Sequence, residues 1–235
     1  MWSLFMADVL MLDTVKIGGI KYDVEFPFPI ETNEELLGMH YLPLSKIRVV
    51  DTFNGDKLTW CRIHELFIHE IFHAIDHSYC NTINEERIKH PSITKLSFGW
   101  HQVLTDNNLN IKDFKTYPKY VKVGGFKYEI VSKHQFKDEI NEVWYDVKNI
   151  KNKLYFTDKT YEGKLSNDFK SLCLCTAILY AVCSVYMGEE EDEALIYNMS
   201  SLGSGIHQVL KDNDIENIIK NGIRYDKKRS VKQHV

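Results

Sequence analysis

The chain has no marked excess of charge of either sign: 29 Lys and Arg stand against 33 Asp and Glu, a net charge of −4. A nucleic-acid binder usually carries a strongly basic face, so no nucleic-acid partner is expected. A disulfide framework is missing too. Cys61, Cys80, Cys173, Cys175 and Cys183 are odd in number and irregularly spaced, and three of them share one apolar run. That usage reads as reduced, buried thiols of a cytosolic chain. Residues 1–12 are apolar but broken by Asp8, lack a basic start and are too short to span a bilayer. With Met6 and Met11 as alternative starts, this stretch reads as peripheral to the fold. No membrane is expected, and the cytoplasm is the expected compartment. Phosphate-loop spacing is absent as well: Gly18-Gly19 and Gly124-Gly125 lack the G-x-G-x-x-G pattern and its strand-then-helix setting. They read as tight hairpin turns. The acidic run at 189–193 lacks the alternating spacing of an EF-hand and reads as a solvated helix start, where negative charge meets the helix dipole favourably. The basic residues 227–229 read as a short disordered tail.

What is present is a soluble composition, 44% hydrophobic and 26% charged, in a length that suits one large domain or two small ones. The chain also repeats itself. Val15-Lys-Ile-Gly-Gly-Ile-Lys-Tyr-Asp-Val24 recurs as Val121-Lys-Val-Gly-Gly-Phe-Lys-Tyr-Glu-Ile130, and Gly99-Trp-His-Gln-Val-Leu-Thr-Asp-Asn107 recurs as Gly205-Ile-His-Gln-Val-Leu-Lys-Asp-Asn213. Both pairs are 106 residues apart (121 less 15, and 205 less 99). Two matches at one spacing read as a tandem duplication, one unit over 12–113 and another over 118–225.

Each unit runs in the same order. A Val/Ile/Tyr-rich hairpin comes first, over 14–26 and again over 119–132. Further β-like segments follow at 46–53 in the first unit, and at 143–147 and 153–158 in the second. A long apolar helix is predicted at 59–79 and 167–187, and a closing helix at 91–107 and 191–213, with Pro91 suited to a first helical turn. The fold class is therefore α+β: two β-β(-β)-α-α units packed as a pseudo-twofold pair.

The chemistry sits in the first long helix. His69-Glu70-Ile71-Phe72-His73 is an HExxH pattern. Two imidazoles four residues apart share a helix face and can reach one metal ion, while Glu70 beside them can act as general base on a water the ion has acidified. Zn²⁺ is the expected ion, bound by neutral imidazole nitrogens. A catalytic zinc needs a third protein ligand and an open fourth position. His77 continues the helical row but lies about 12 Å up the axis from His69, too far for one ion. Glu85, Glu86 and His90 remain, level on position alone. His64 reads as exposed, Asp76 as a surface carboxylate, and His101 and His207, present in both units, as packing or capping residues. In the second unit a shift of 107 brings Thr176, Ala177 and Tyr180 opposite His69, Glu70 and His73, and a shift of 106 brings Cys175, Thr176 and Leu179 there. Neither register restores the motif, so the second unit reads as a degenerate copy.

The series Lys-Ile-Gly-Gly-x-x-Tyr-x-Val, His-Glu-Ile-x-His-Ala-Ile, Glu85-Glu86 and Gln-Val-Leu-x-Asp-Asn resembles small phage and bacterial zincin-like proteins. The resemblance spans nearly all of the first unit and only the two ends of the second. It implies a small twisted sheet, an active-site helix bearing His69, Glu70 and His73, and a glutamate near the closing helix as third ligand. That ranks Glu86 first, Glu85 second and His90 third, although His90-Pro91 stands where such relatives run straight into the helix. Two functions follow as expectations. One is a zinc metallopeptidase of phage or mobile-element origin, its polypeptide substrate pairing with an edge strand near 46–53 in the host cytoplasm. The other is a non-catalytic zincin-like binding protein, such as an inhibitor of a host defence or regulatory system, with a host protein as partner.

Overall fold

The computed structural model describes residues 10–29, 36–82, 86–136, 143–160, 163–187 and 192–232. In the first half, β1 (Thr14–Ile17) and β2 (Ile20–Glu25) form an antiparallel hairpin, with Ile17 opposite Ile20. Gly18 and Gly19 make the turn at φ of 58° and 80°, the left-handed region that glycine enters without steric cost. β3 (Gly38–Tyr41) and β4 (Lys46–Val49) complete a sheet of order β1-β2-β4-β3, in which β4 runs parallel to β2 and antiparallel to β3. A small hairpin, β5 (Thr52–Phe53) with β6 (Asp56–Lys57), leads into α1 (Trp60–Tyr79), and α2 (His90–Asp106) follows.

The second half repeats this layout. β7 (Tyr120–Val123), β8 (Phe126–Val131), β9 (Tyr145–Lys148) and β10 (Lys153–Phe156) form a sheet of order β7-β8-β10-β9. The hairpin β11 (Lys159–Thr160) with β12 (Gly163–Lys164) precedes α3 (Asn167–Tyr186) and α4 (Glu193–Asp212). The offset between halves is 106 for the first two strands (14 to 120, 20 to 126) and 107 from β3 to α1 (38 to 145, 60 to 167). One extra residue therefore lies between β8 and β9, and α1 overlays α3 in the 107 register. The α+β class is as expected. A strand at 38–41 was not anticipated, because Gly-Met-His-Tyr carries no alternation that marks it.

The C-terminus departs from expectation more sharply. Residues 227–229 are not a disordered tail but part of α5 (Ile215–Lys232). Ile215, Ile218 and Ile219 bury its first turns against the body of the protein. Further along, the Asp226 carboxylate accepts the free N–H groups of Trp60 and Cys61 at the start of α1, at 3.1 and 3.0 Å. A helix N-terminus leaves such donors unpaired, and the negative charge also suits its dipole. Of the N-terminal stretch, 1–9 lie outside the described residues, while Met11 and Leu12 pack on the core.

One continuous hydrophobic cluster runs through both halves. α3 is apolar on almost every side and long enough to cross a membrane by length and composition, yet it is packed between α2, α4 and the second sheet. A helix covered on most sides by protein needs little polar face.

The repeated sequence motifs are the two sides of one reciprocal interface. Gly99 on α2 lies against Val182 and Tyr186 of α3, and Gly205 on α4 lies against Ile75 and Tyr79 of α1, so close that a Cβ would collide at either place. The side-chain amide oxygen of Gln102 accepts the N–H of Gly124 at 2.7 Å, and that of Gln208 accepts the N–H of Gly18 at 3.3 Å. Asn107 pairs with both backbone groups of Lys122, at 2.8 and 2.9 Å. Asn213 does the same to Lys16, at 2.9 and 3.0 Å. Each closing helix thus holds the opening hairpin of the other half. Deleting one half would strand these side chains and expose the apolar face beneath them.

Candidate metal centre

α1 is started by Thr59, whose hydroxyl accepts the N–H of Arg62 at 3.3 Å. Its apolar face, including Phe67, Ile71, Phe72 and Ile75, is buried in the core. That burial fixes the rotation of the helix and turns Glu65, His69, His73 and His77 toward one side, since residues four apart stack along a helix face. His69 and His73 are half-buried there. The first residue of α2, His90, comes in from the solvent side to meet them.

The three imidazoles converge. His69 Nε2 lies 3.1 Å from His73 Nε2 and 3.2 Å from His90 Nε2. Ring centroids are 4.8, 4.9 and 5.3 Å apart for the pairs 69–73, 69–90 and 73–90. Each neutral ring nitrogen offers either one proton or one lone pair, so His69 Nε2 cannot satisfy both neighbours at once by hydrogen bonding. A shared cation satisfies all three. Nitrogens bound tetrahedrally to zinc at about 2.0–2.1 Å stand about 3.3 Å apart, close to the two spacings measured from His69. The residues fit the ion.

Electrostatics point the same way. Burial pushes the His69 imidazole down to about 3, assisted by repulsion from His73 and His90. Burial likewise takes His73 to about 4, again with His90 opposing its charge. Both rings are therefore neutral at physiological pH, the form that ligates a metal.

Glu70 is only 5% exposed, and burial pushes its carboxyl up to about 8, against a backbone N–H donated by His40. Its carboxylate lies over Gly38 of β3, where a Cβ would come 2.5 Å from Oε1. A nearby cation favours the ionised carboxylate and so opposes the effect of burial. One turn earlier, buried Glu65 is ion-paired with Arg62 and accepts the Ser97 hydroxyl at 3.3 Å, tying α1 to α2 beside the cluster. Gly38, Glu65 and Ser97 were not singled out from sequence. The four-residue row through His69 could have indicated Glu65; nothing local marks the other two.

Other candidates fall elsewhere. Among the described residues, the ligand-type side chains that gather as a set of three are His69, His73 and His90. Glu86 is exposed and is not one of them, and Glu85 lies outside the described residues. His77 is exposed, its ring 5.4 Å from that of His40. His64 is fully buried rather than exposed, and its Nε2 lies 2.6 Å from the Leu10 carbonyl. Asp76 is not on the surface either: at 3% exposure it pairs with Arg87, whose guanidinium also donates to the Asp76 carbonyl at 2.8 Å. His101 packs beside Cys61, and His207 Nε2 lies 2.7 Å from the Ser171 hydroxyl.

In the second half, Thr176, Ala177 and Tyr180 stand where the first has His69, Glu70 and His73. A cavity of about 510 Å³ opens there, lined by Trp144, Phe169, Thr176, Tyr180 and Ser200 among others. Its lining holds no set of metal-binding side chains. No family model, curated protein or solved structure matches the chain.

Proposed function

We propose that this protein is a zinc-dependent hydrolase of the zincin type, acting on polypeptide, with the first half carrying the reaction and the second a degenerate copy of its scaffold. The observation that carries the reading is the convergence of His69, His73 and His90: their ligand nitrogens all lie within 4.8 Å of one another, and His69 Nε2 is 3.1 and 3.2 Å from those of His73 and His90. His90, rather than Glu86, is the third ligand in this reading. When bound, the ion would supply Lewis acidity, lowering the pKa of water to about 7 and polarising a carbonyl oxygen. The protein's own groups do the rest. Three imidazoles would hold the ion and, among the described residues, no fourth ligand-type side chain joins them. Glu70, ordered by the His40 N–H and by Gly38, receives the proton of the attacking water and returns it to the leaving amine.

The surface that would bind substrate is β3 rather than the segment at 46–53. β4 lies inside the sheet, between β2 and β3, so its backbone groups are already engaged; β3 is at the edge and packs on α1. An extended peptide added to β3 runs past the helix face that bears the histidines. The test is metal content together with proteolysis. Purified protein should hold one zinc and cleave an unstructured polypeptide, and Glu70→Gln should keep the zinc and lose cleavage. Equal cleavage by Glu70→Gln sinks the mechanism.

A further inference from the structure

The third ligand hangs on a connection that the first half does not hold by itself. His90 opens α2, whose N-cap residue Lys89 provides no side-chain cap, and the first turn carries no acidic residue. Its free N-terminal groups are met from the other half. Asp192, just before α4 and 3% exposed, accepts the Lys89 N–H at 3.0 Å and the Ser92 hydroxyl at 2.5 Å through one carboxylate oxygen. Its second oxygen caps α4 by accepting the Leu195 N–H at 3.1 Å. One carboxylate therefore serves two helix starts and grips the chain on both sides of His90-Pro91. The other end of the connection is held as well. Asn198, 1% exposed, accepts the Asn81 N–H at 2.9 Å and donates to the Asn81 carbonyl at 2.8 Å. A further bond from Asn198 to the Ala194 carbonyl, at 2.8 Å, fixes its rotamer.

We infer that Asp192 and Asn198 are positioning residues for His90, so that the second half, which lacks the HExxH residues, completes the metal centre of the first. This rests on the metal reading above and adds to it a role for the second half. An exposed His at a helix start has little packing to hold its ring, and its placement depends on where its backbone is fixed. Groups that orient a metal ligand typically matter by about 10–100-fold in affinity.

The test is Zn²⁺ affinity by chelator competition, with the absorption of the Co²⁺-substituted protein as a spectroscopic readout of ligand number. The variants are Asp192→Ala, Ser92→Ala, Asn198→Ala and His90→Ala. Asn213→Ala is the control: it removes a clamp of the same interface, remote from His90. Asp192→Ala and Asn198→Ala should each weaken Zn²⁺ binding by about 10–100-fold and shift the Co²⁺ spectrum toward that of His90→Ala. Ser92→Ala, which removes one bond without a charge, should fold and show a smaller loss of the same sign. Asn213→Ala should leave affinity within about twofold, since distant sites act independently. Wild-type affinity in Asp192→Ala, or in Ser92→Ala and Asn198→Ala together should Asp192→Ala not fold, overturns the positioning role while the metal reading stands. A wild-type protein that binds neither ion overturns the metal reading itself.

Discussion

The Glu70 carboxylate rests on Gly38: a Cβ at that position would lie 2.5 Å from Glu70 Oε1 and 3.1 Å from its Cδ and Cγ. A buried acid at the edge of a sheet therefore has its place set by the absence of a side chain on the strand. Gly38→Ala should push the carboxylate off the His40 N–H while leaving the three imidazoles in place. Turnover should fall at least about tenfold, as small misplacements of a catalytic group do, with zinc content unchanged. Unaltered kcat in the alanine variant would show that Glu70 is not the base or is not held there.

Each of His69, His73 and His90 should matter to the metal, and Glu86 and His77 should not. Alanine at any of the three histidines should cost more than the roughly 10–100-fold that outer contacts cost, read by chelator competition. Glu86→Ala and His77→Ala should retain wild-type stoichiometry. Loss of zinc from Glu86→Ala with retention in His90→Ala would reverse the assignment of the third ligand.

Removing the metal should destabilise the folded chain. A ligand at 1,000 times its dissociation constant adds about 4 kcal/mol to the native state. EDTA should therefore lower Tm clearly in wild type and hardly at all in a His69→Ala, His73→Ala double variant. An equal EDTA shift in both would place the bound metal elsewhere.

The reciprocal clamps should be stability elements rather than site elements. Gly99→Ala and Gly205→Ala insert a Cβ against Val182 and Ile75 respectively, and overpacking of this kind costs about 1–3 kcal/mol. Asn107→Ala and Asn213→Ala should each cost less, about 0.5–1.5 kcal/mol, because the backbone groups of Lys122 and Lys16 that they release are open to water. Urea unfolding measures all four. A loss confined to one half, with the other unfolding separately at its wild-type midpoint, would argue against a shared core.

Stability should also fall with acid through His101. Burial, with His64 nearby, pushes this imidazole down to about 4, while in the unfolded chain it titrates near its ordinary value of 6.5. Between those values the unfolded chain takes up a proton that the folded one refuses, so stability is fully present above pH 6.5 and is lost as pH falls toward 4. A shift of that size amounts to about 3 kcal/mol. With chelator present, His101→Gln should show a shallower drop in urea midpoint between neutral and mildly acidic pH. An unchanged slope would mean that His101 does not report this burial.

Local pattern was enough to reveal the helix bearing HExxH, the two Gly-Gly hairpins, the α+β class and the approach of His69 to His73 on one helix face. Each of these depends on neighbours within a few residues, where helical and strand periodicity act directly. The duplicate motifs were visible as well, but their purpose was not. Gln102, Asn107, Gln208 and Asn213 bind backbone about 15 to 197 residues away, and no local rule encodes that distance. The same limit governed the choice among candidates for a third ligand. Glu85, Glu86 and His90 were equivalent by position, and the family resemblance favoured the glutamates. Long-range hydrogen bonds tie Asp192 and Asn198 to Lys89, Ser92 and Asn81 on the connection that carries His90, and those bonds exist only once α4 has packed on α1 and α3. The strand at Gly38–Tyr41 and the helix at Ile215–Lys232 likewise take their shape from what they lie against. In this chain, short-range spacing determined which groups could do chemistry, and packing between the halves decided which of them meet.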